Sequence, residues 1–137
     1  MIKLKFGLFF EWPNPELREF KDIFAEGLDQ IKLSESLGFD YVLIAEHHFS
    51  NGYGILPDPF SYITYLAPQT ERIKLGTAVL TLPLQNPVKV IENAAFVDLL
   101  TEGRFILGLG SGYPPYEFEG LGIDFETRHA AQEAALP

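Results

Sequence analysis

Short apolar runs alternate with segments of helical spacing along the chain, and this alternation restricts the fold more than any other feature. The runs are LKFGLFF (Leu4–Phe10), YVLIA (Tyr41–Ala45), IKLGTAVLTL (Ile73–Leu82) and FILGL (Phe105–Leu109). Each has the length and residue types of a strand. Trp12, Pro13, Asn14 and Pro15 break the first run. Helical spacing follows from about Asp22 to Leu37, with Phe24, Leu28 and Ile31 on one face and Gly38 placed as a C-terminal cap. Asp58-Pro59 and Asn86-Pro87 both read as an N-cap followed by proline at the first helical position. The first opens a short helix ending near Pro68; the second opens VKVIENAAFVDLL, which Thr101, Glu102 and Gly103 terminate. Strand, helix, strand, helix, strand, helix, strand is the order of an α/β fold built from right-handed parallel crossovers. The third run is apolar at nearly every position, as expected when both faces of a strand are covered. No linker or low-complexity tract divides residues 1–137, so a single domain is expected. Two architectures stay open on this pattern: a doubly wound sheet, which four strands complete, or a (β/α)8 barrel, of which they form half.

Composition narrows the partners. With 12 Phe and 6 Tyr and a hydrophobic fraction of 47%, the chain can bury a core. Nineteen acidic residues against 10 Lys and Arg give a formal charge of −9. That balance argues against nucleic acid and against an anionic membrane surface, both of which call for a basic footprint. The chain has no cysteine, which excludes disulfides, thiolate nucleophiles and Cys-ligated metals. The N-terminal stretch lacks the features of a signal peptide, and no run approaches the ~18 apolar residues of a membrane span. A soluble, cytoplasmic protein is expected.

Parallel α/β folds place ligands at the C-terminal ends of their strands. IAEHHFS (Ile44–Ser50) falls at such an end, and it uses two of the three histidines of the chain. Histidine titrates closest to neutral pH and is the usual proton donor or acceptor in catalysis. Glu46, His47 and His48 are therefore candidates for acid/base chemistry; the plainer reading packs one histidine and leaves the other in solvent. Neighbouring side chains of an extended segment point to opposite sides, so His47 and His48 are poorly placed to share a metal, and His129 is remote. No metal site is expected. GLGSG (Gly108–Gly112) lets a ligand approach the backbone closely, yet it does not have the spacing of a dinucleotide fingerprint. GTAVLTLPLQNP (Gly76–Pro87) reads as ordinary structure. YPPYEFEG (Tyr113–Gly120) reads either as cover for a planar ligand or, more commonly, as a loop packed on itself.

Taken in order, LGFDYVLIAEHHFS, ILPDPF, ERIKLGTAVLTLPLQNPVKV, LLTEGRFILGLGSGY and FEGLGID resemble the N-terminal half of the bacterial-luciferase-like monooxygenases, best known from the alkanal monooxygenase subunits. The resemblance runs from about Lys3 to Arg128. It implies a (β/α)8 barrel, with this chain supplying the first four strands and their helices; HAAQEAALP (residues 129–137) departs from the family pattern. It implies reduced FMN as cofactor, supplied by a separate flavin reductase. O2 and an aldehyde or other small organic molecule are the implied substrates, and a homo- or heterodimer the implied assembly. By the same resemblance, His47 is the acid or base near the flavin and His48 supports it. Glu46, Ala78, Val79, Gly110, Ser111 and Arg128 fall at cofactor-binding positions, and the Ala78–Val79 bond matches a non-proline cis peptide. Luciferase itself has Cys-Arg where this chain has Gly110 and Ser111, so a basic phosphate contact is replaced here. Phe6, Leu8, Val42, Ile44, Val79 and Leu107 are expected on the inner face of the barrel. Two other readings stand beside the monooxygenase: a non-catalytic flavin-binding or assembly half-barrel, and a deazaflavin-dependent hydride-transfer enzyme. The EHHF block favours the monooxygenase.

Overall fold

The computed structural model describes residues 4–136. Its first strand, β1 (Gly7–Phe10), leads through an aromatic-rich loop into α1 (Phe20–Ser36). Then follow β2 (Tyr41–Ile44), α2 (Pro59–Leu66), β3 (Lys74–Thr77), β4 (Leu80–Thr81) and α3 (Pro87–Leu100). The chain continues through β5 (Phe105–Ile106), β6 (Leu109–Gly110), α4 (Pro115–Gly120) and α5 (Arg128–Ala135). The caps read from sequence are in place. The Asp58 carboxylate accepts from Ser61 N at 3.2 Å, and Asn86 Oδ1 accepts from Val88 N at 3.0 Å. Gly38 and Gly103 follow their helices with positive φ, as helix-ending glycines do.

Strands β1, β2, β3 and β5 pair in parallel and in sequence order. A doubly wound sheet reverses its strand order and carries helices on both faces. Here the order never reverses and the helices share one face, so the sheet is the opening half of a (β/α)8 barrel. The register shows which face they cover. Leu8, Val42, Leu75 and Phe105 form one row, and Phe10, Ile44 and Thr77 a second row on the same side. Val42, Ile44 and Leu75 are fully buried in one cluster with Ile31 of α1, Ile63 and Leu66 of α2 and Val90 of α3. The opposite row is Phe9, Leu43, Gly76 and Ile106, facing the barrel axis. A Cβ at Gly76 would lie 2.9 Å from Ile106 Cβ and 3.0 Å from Leu43 Cδ2, so these side chains meet over the glycine.

This corrects the inner-face expectation. Leu8, Val42 and Ile44 belong to the helix-covered layer, and the axis face is carried by Phe9, Leu43 and Ile106. Strands that are apolar at every position do not reveal which parity points which way. The face of α1 also differs from the sequence expectation. Ile23, Gly27, Ile31 and Ser34 are buried, while Phe24 and Leu28 are partly covered. The Trp12 indole lies against Gly27 and rotates the buried stripe toward it. Residues Arg128–Ala135 are helical, and Ala135 of α5 packs against the core.

The third and fourth barrel strands are each broken in two. The peptide between Ala78 and Val79 is cis and separates β3 from β4. Ala78 N donates to Ile44 O at 2.7 Å, so the break stays tied to β2. Across it, the Thr77 hydroxyl donates to Gly108 O (2.7 Å) and accepts from Gly108 N (2.9 Å). A Cβ at Gly108 would sit 2.2 Å from Thr77 O, so only glycine allows this approach. Beyond the break β4 and β6 pair again, Leu80 with Leu109 and Thr81 with Gly110.

The axis face of the described residues has no second layer. Phe9 is 55% exposed, and β1 and β5 are edge strands. Leaving apolar surface in water forfeits about 25 cal/mol per Å², and unpaired edges recruit other chains. The 137-residue polypeptide produced by itself is expected to self-associate. Sedimentation velocity checks this, and a compact monomer with a cooperative melt would overturn it.

Candidate active site

Four segments converge at the C-terminal ends of the strands. Glu11 follows β1, Glu46-His47-His48 follows β2, Ala78-Val79 lies between β3 and β4, and Gly110–Tyr113 leaves β6. They surround a cleft of about 320 Å³ whose lining includes Phe9, Glu11, His47, Val79, Ser111 and Glu117. The histidine segment is held by main-chain bonds. Ala45 N donates to Phe10 O (3.0 Å) and His47 N to Leu56 O (2.9 Å). Gly54 packs on the His47 ring, where an added Cβ would fall 2.3 Å from Cδ2; any side chain there would push the imidazole out of place.

The two histidines point to different carboxylates, as expected for neighbours in an extended segment. His47 is 6% exposed; its Nδ1 donates to Glu117 Oε1 at 3.0 Å, and its Nε2 lies 3.4 Å from Glu11 Oε1. The His48 backbone N–H donates to the same Glu117 oxygen at 3.0 Å. The His48 ring turns away from the cleft, and its Nε2 donates to Glu46 Oε1 at 2.9 Å. Glu46 is buried and also accepts from Thr81 N (2.6 Å) and Gln85 Nε2 (3.1 Å). Through Glu46, the second histidine fastens β4 to the end of β2.

Both imidazoles are shifted. The hydrogen bond that His47 donates to Glu117 raises the His47 pKa above its ordinary 6.5, against the opposing effect of burial, and Glu11 adds to the rise. Glu46 raises His48 in the same way. Tyr53 and Tyr113 stand edge-on to the His47 ring, with centroids 5.0 and 6.1 Å away, and their hydroxyls bond each other at 2.6 Å. That bond holds the Tyr53 hydroxyl above its ordinary pKa.

The structure brings together seven of the eight sequence-derived positions. His47, Glu46, Ala78, Val79, Gly110 and Ser111 line the cleft, and His48 stands directly behind it. Arg128, expected from the resemblance at a cofactor-binding position, stands outside the cleft lining. It opens α5 with its guanidinium 3.7 Å over the Phe125 ring, and its Nη1 donates to Phe125 O. Sequence reasoning missed Glu117, Glu11, Tyr53 and Tyr113. Within YPPYEFEG, Pro115–Gly120 form a short helix rather than a loop, and it buries Glu117 and Phe118. No local signal marks Glu117, whose partner His47 lies 70 residues away in sequence. Among the described residues, no cluster of three or more His, Asp or Glu is arranged to hold a metal. No helix among them is long and apolar enough to cross a membrane.

Comparison with known proteins specifies the class of chain that carries a buried histidine at the strand ends of such a half-barrel. The family description "Luciferase-like monooxygenase" matches residues 4–135, and the chain belongs to that family. It is 37% identical to 4-hydroxyprotoasukamycin monooxygenase of Streptomyces nodosus subsp. asukaensis, over 98% of this chain and 36% of that protein. It is 31% identical to the alkanal monooxygenase alpha chain of Photorhabdus laumondii, over 95% and 36%. It therefore spans about a third of the length of the curated relatives it matches. Among solved structures, it resembles the oxygenating constituent of 3,6-diketocamphane monooxygenase of Pseudomonas putida, a type II Baeyer-Villiger monooxygenase in complex with FMN. The TM-score is 0.85 with 25% identity, covering 98% of this chain and 39% of that one. It also resembles the coenzyme F420 dependent tetrahydromethanopterin reductase of Methanopyrus kandleri, with TM-score 0.67 and 26% identity, covering 90% and 31%.

The raised histidine pKa values set a direction for stability. A group whose pKa is higher folded than unfolded contributes fully below the unfolded value, and the contribution is lost as pH rises through the folded value. Thermal stability is expected to fall as pH climbs from near 6.5 into the range above it. Glu117→Gln keeps an acceptor for His48 N and removes the charge. It is expected to lower the His47 midpoint in an NMR titration, flatten this pH dependence and cost about 1–3 kcal/mol. An unchanged His47 midpoint would show that Glu117 is not its electrostatic partner.

Proposed function

We propose that this chain carries the N-terminal half of the site of a flavin-dependent monooxygenase, which uses reduced FMN and O2 to oxygenate an aldehyde or another small organic molecule. The observation that carries the reading is His47: a nearly buried imidazole, paired with a buried carboxylate, facing a cleft beside the Ala78–Val79 peptide. A cytoplasmic setting, a separate reductase that supplies reduced FMN, and pairing of two chains belong to the same reading. The alpha chain designation of the alkanal monooxygenase relative supports the pairing.

The cleft residues fit a planar cofactor with a polar tail. Phe9 and Val79 offer apolar surface, both of them partly exposed. Gly110 keeps the rim clear, since a Cβ there would meet Val79 Cγ2 at 2.4 Å. Ala78 and Val79 would bed the ring system, and the Gly110–Gly112 backbone with the Ser111 hydroxyl would hold the polar end. Reduced FMN, when bound, supplies the electrons that activate O2. The protein's own part is to place and move a proton. Glu117 accepts from His47 Nδ1 and fixes the ring, so Nε2 is the atom that gives or takes a proton in the cleft. Glu46, held by His48, Thr81 N and Gln85, keeps the cleft wall in register. Arg128 has no role in this reading.

The similarity to the F420 dependent reductase supports a second reading, hydride transfer with a deazaflavin. Titration of the full-length protein with reduced FMN, oxidised FMN and coenzyme F420 separates the two. Reduced FMN is expected to bind most tightly; preference for F420 would replace the monooxygenase reading. His47→Gln is expected to slow oxygenation by about 10²-fold or more, the usual contribution of general acid–base catalysis. Its reduced-FMN affinity is expected to stay within about threefold of wild type, because such a group acts mainly in the transition state. Normal turnover in His47→Gln would remove the residue from the mechanism.

A further inference from the structure

We propose that Glu11 is the proton port of this site, exchanging the proton on His47 Nε2 with solvent between turnovers. The inference rests on the monooxygenase reading and adds to it a residue that acts through His47.

Among the side chains around His47, the geometry favours Glu11 as the carrier of that proton. His47 is 6% exposed and Glu117 1%, whereas Glu11 is 30% exposed. Nδ1 is bonded to Glu117 Oε1, and that oxygen also receives the His48 backbone N–H, so this side of the ring is closed to water. Tyr53 and Tyr113 flank the ring edge-on, with their hydroxyls bonded to each other. Nε2 remains, and Glu11 Oε1 is 3.4 Å from it. Glu11 is also a shared wall. It lines the 320 Å³ cleft and a separate groove of about 560 Å³ between β1 and α1. A carboxylate with one side on His47 and the other on an open groove is placed to carry protons between them.

Its position is built in. The next residue, Trp12, is buried against Phe10, Phe24 and Tyr62, with ring centroids 5.3, 5.7 and 4.9 Å away. That aromatic anchor fixes the backbone from which Glu11 projects. The titratable groups around His47 are Glu117 from α4, Glu11 after β1, Tyr53 from the loop before α2, Tyr113 after β6, and Glu46 and His48 from its own segment. Of these, Glu11 alone is a partly exposed carboxylate.

The step balances without redox change. The imidazolium Nε2–H passes its proton to Glu11 Oε1, leaving a neutral ring with its lone pair on Nε2 and a neutral carboxylic acid on Glu11. The acid then releases the proton to water and regains its charge. The reverse sequence recharges His47.

The test compares Glu11→Gln and Glu11→Ala with His47→Gln in the full-length protein, with near-UV circular dichroism to confirm folding. Both Glu11 variants are expected to turn over about tenfold more slowly, a loss at the low end of acid–base contributions. The pH–rate limb of His47 is expected to move to lower pH. Acetate is expected to restore Glu11→Ala several-fold and to leave wild type unchanged. Without flavin, the NMR titration midpoint of His47 is expected to fall in Glu11→Gln. Wild-type turnover with an unchanged pH profile in Glu11→Gln overturns the port. So does a slow Glu11→Ala that acetate does not restore while the His47 midpoint stays put, since that marks a purely structural residue. If His47→Gln turns over normally, the monooxygenase role of His47 fails and the port falls with it, whereas a failure confined to the Glu11 variants leaves that role intact.

Discussion

Two buried carboxylates hold this site together. Glu46 and Glu117 are 4% and 1% exposed, and an unpartnered charge at such a depth costs several kcal/mol. Neither is unpartnered. Glu46 takes hydrogen bonds from Thr81 N, Gln85 and His48, and Glu117 takes them from His47 and the His48 backbone. Because each carboxylate needs all of its donors, the donors must stand where the carboxylate is. Glu46 thereby binds the end of β2 to β4 beyond the cis peptide, and Glu117 binds α4 to the same segment. Removing either acid would leave donors facing no acceptor, so the demands of burial select this geometry.

The barrel architecture explains why these groups can gather at one end. At the opposite end the chain is fastened by structural bonds alone. The Glu35 carboxylate accepts from the backbone N–H groups of Glu71, Arg72 and Ile73. Arg104 donates to Thr70 Oγ1 and to the carbonyls of Ala67, Ile73 and Thr101. These contacts close the loops leading into β3 and β5. With the lower ends fastened, the upper ends can carry glycines and buried acids, which a strand would not keep for stability alone.

How much of this could be read in advance depended on the distance over which each interaction works. Asp58-Pro59, Asn86-Pro87, Gly38 and Gly103 act within a turn of their helices, and all four were legible. The Glu46-His47-His48 segment was legible because its place after an apolar run already marks the functional end of a parallel strand. Its internal division of labour follows from neighbouring side chains pointing apart. Glu117 was not legible, because its importance comes from a histidine 70 residues away. Glu11 was hidden between Phe10 and Trp12, where it reads as one charge in an aromatic stretch. The inner and outer faces were assigned wrongly because Leu8, Val42 and Ile44 are as apolar as Phe9, Leu43 and Ile106. Only the helices and the register tell them apart.

The charge balance of the finished site explains why it needs both histidines. Three carboxylates, Glu11, Glu46 and Glu117, stand against two imidazoles within one network of contacts no longer than 3.4 Å. With both rings protonated the formal sum is −1, and with both neutral it is −3. Repulsion among acids in a poorly hydrated site therefore favours the protonated rings, and the attraction runs through specific pairs, Glu117 with His47 and Glu46 with His48. The two pairs differ in their partners. The His48 ring bonds a Glu46 carboxylate that Thr81 N and Gln85 also engage. The His47 proton at Nε2 faces the cleft. The His48 ring thus points at the wall and the His47 ring at the cleft, although the two are adjacent in sequence and identical in chemistry. What separates their surroundings is the direction each ring faces from an extended backbone.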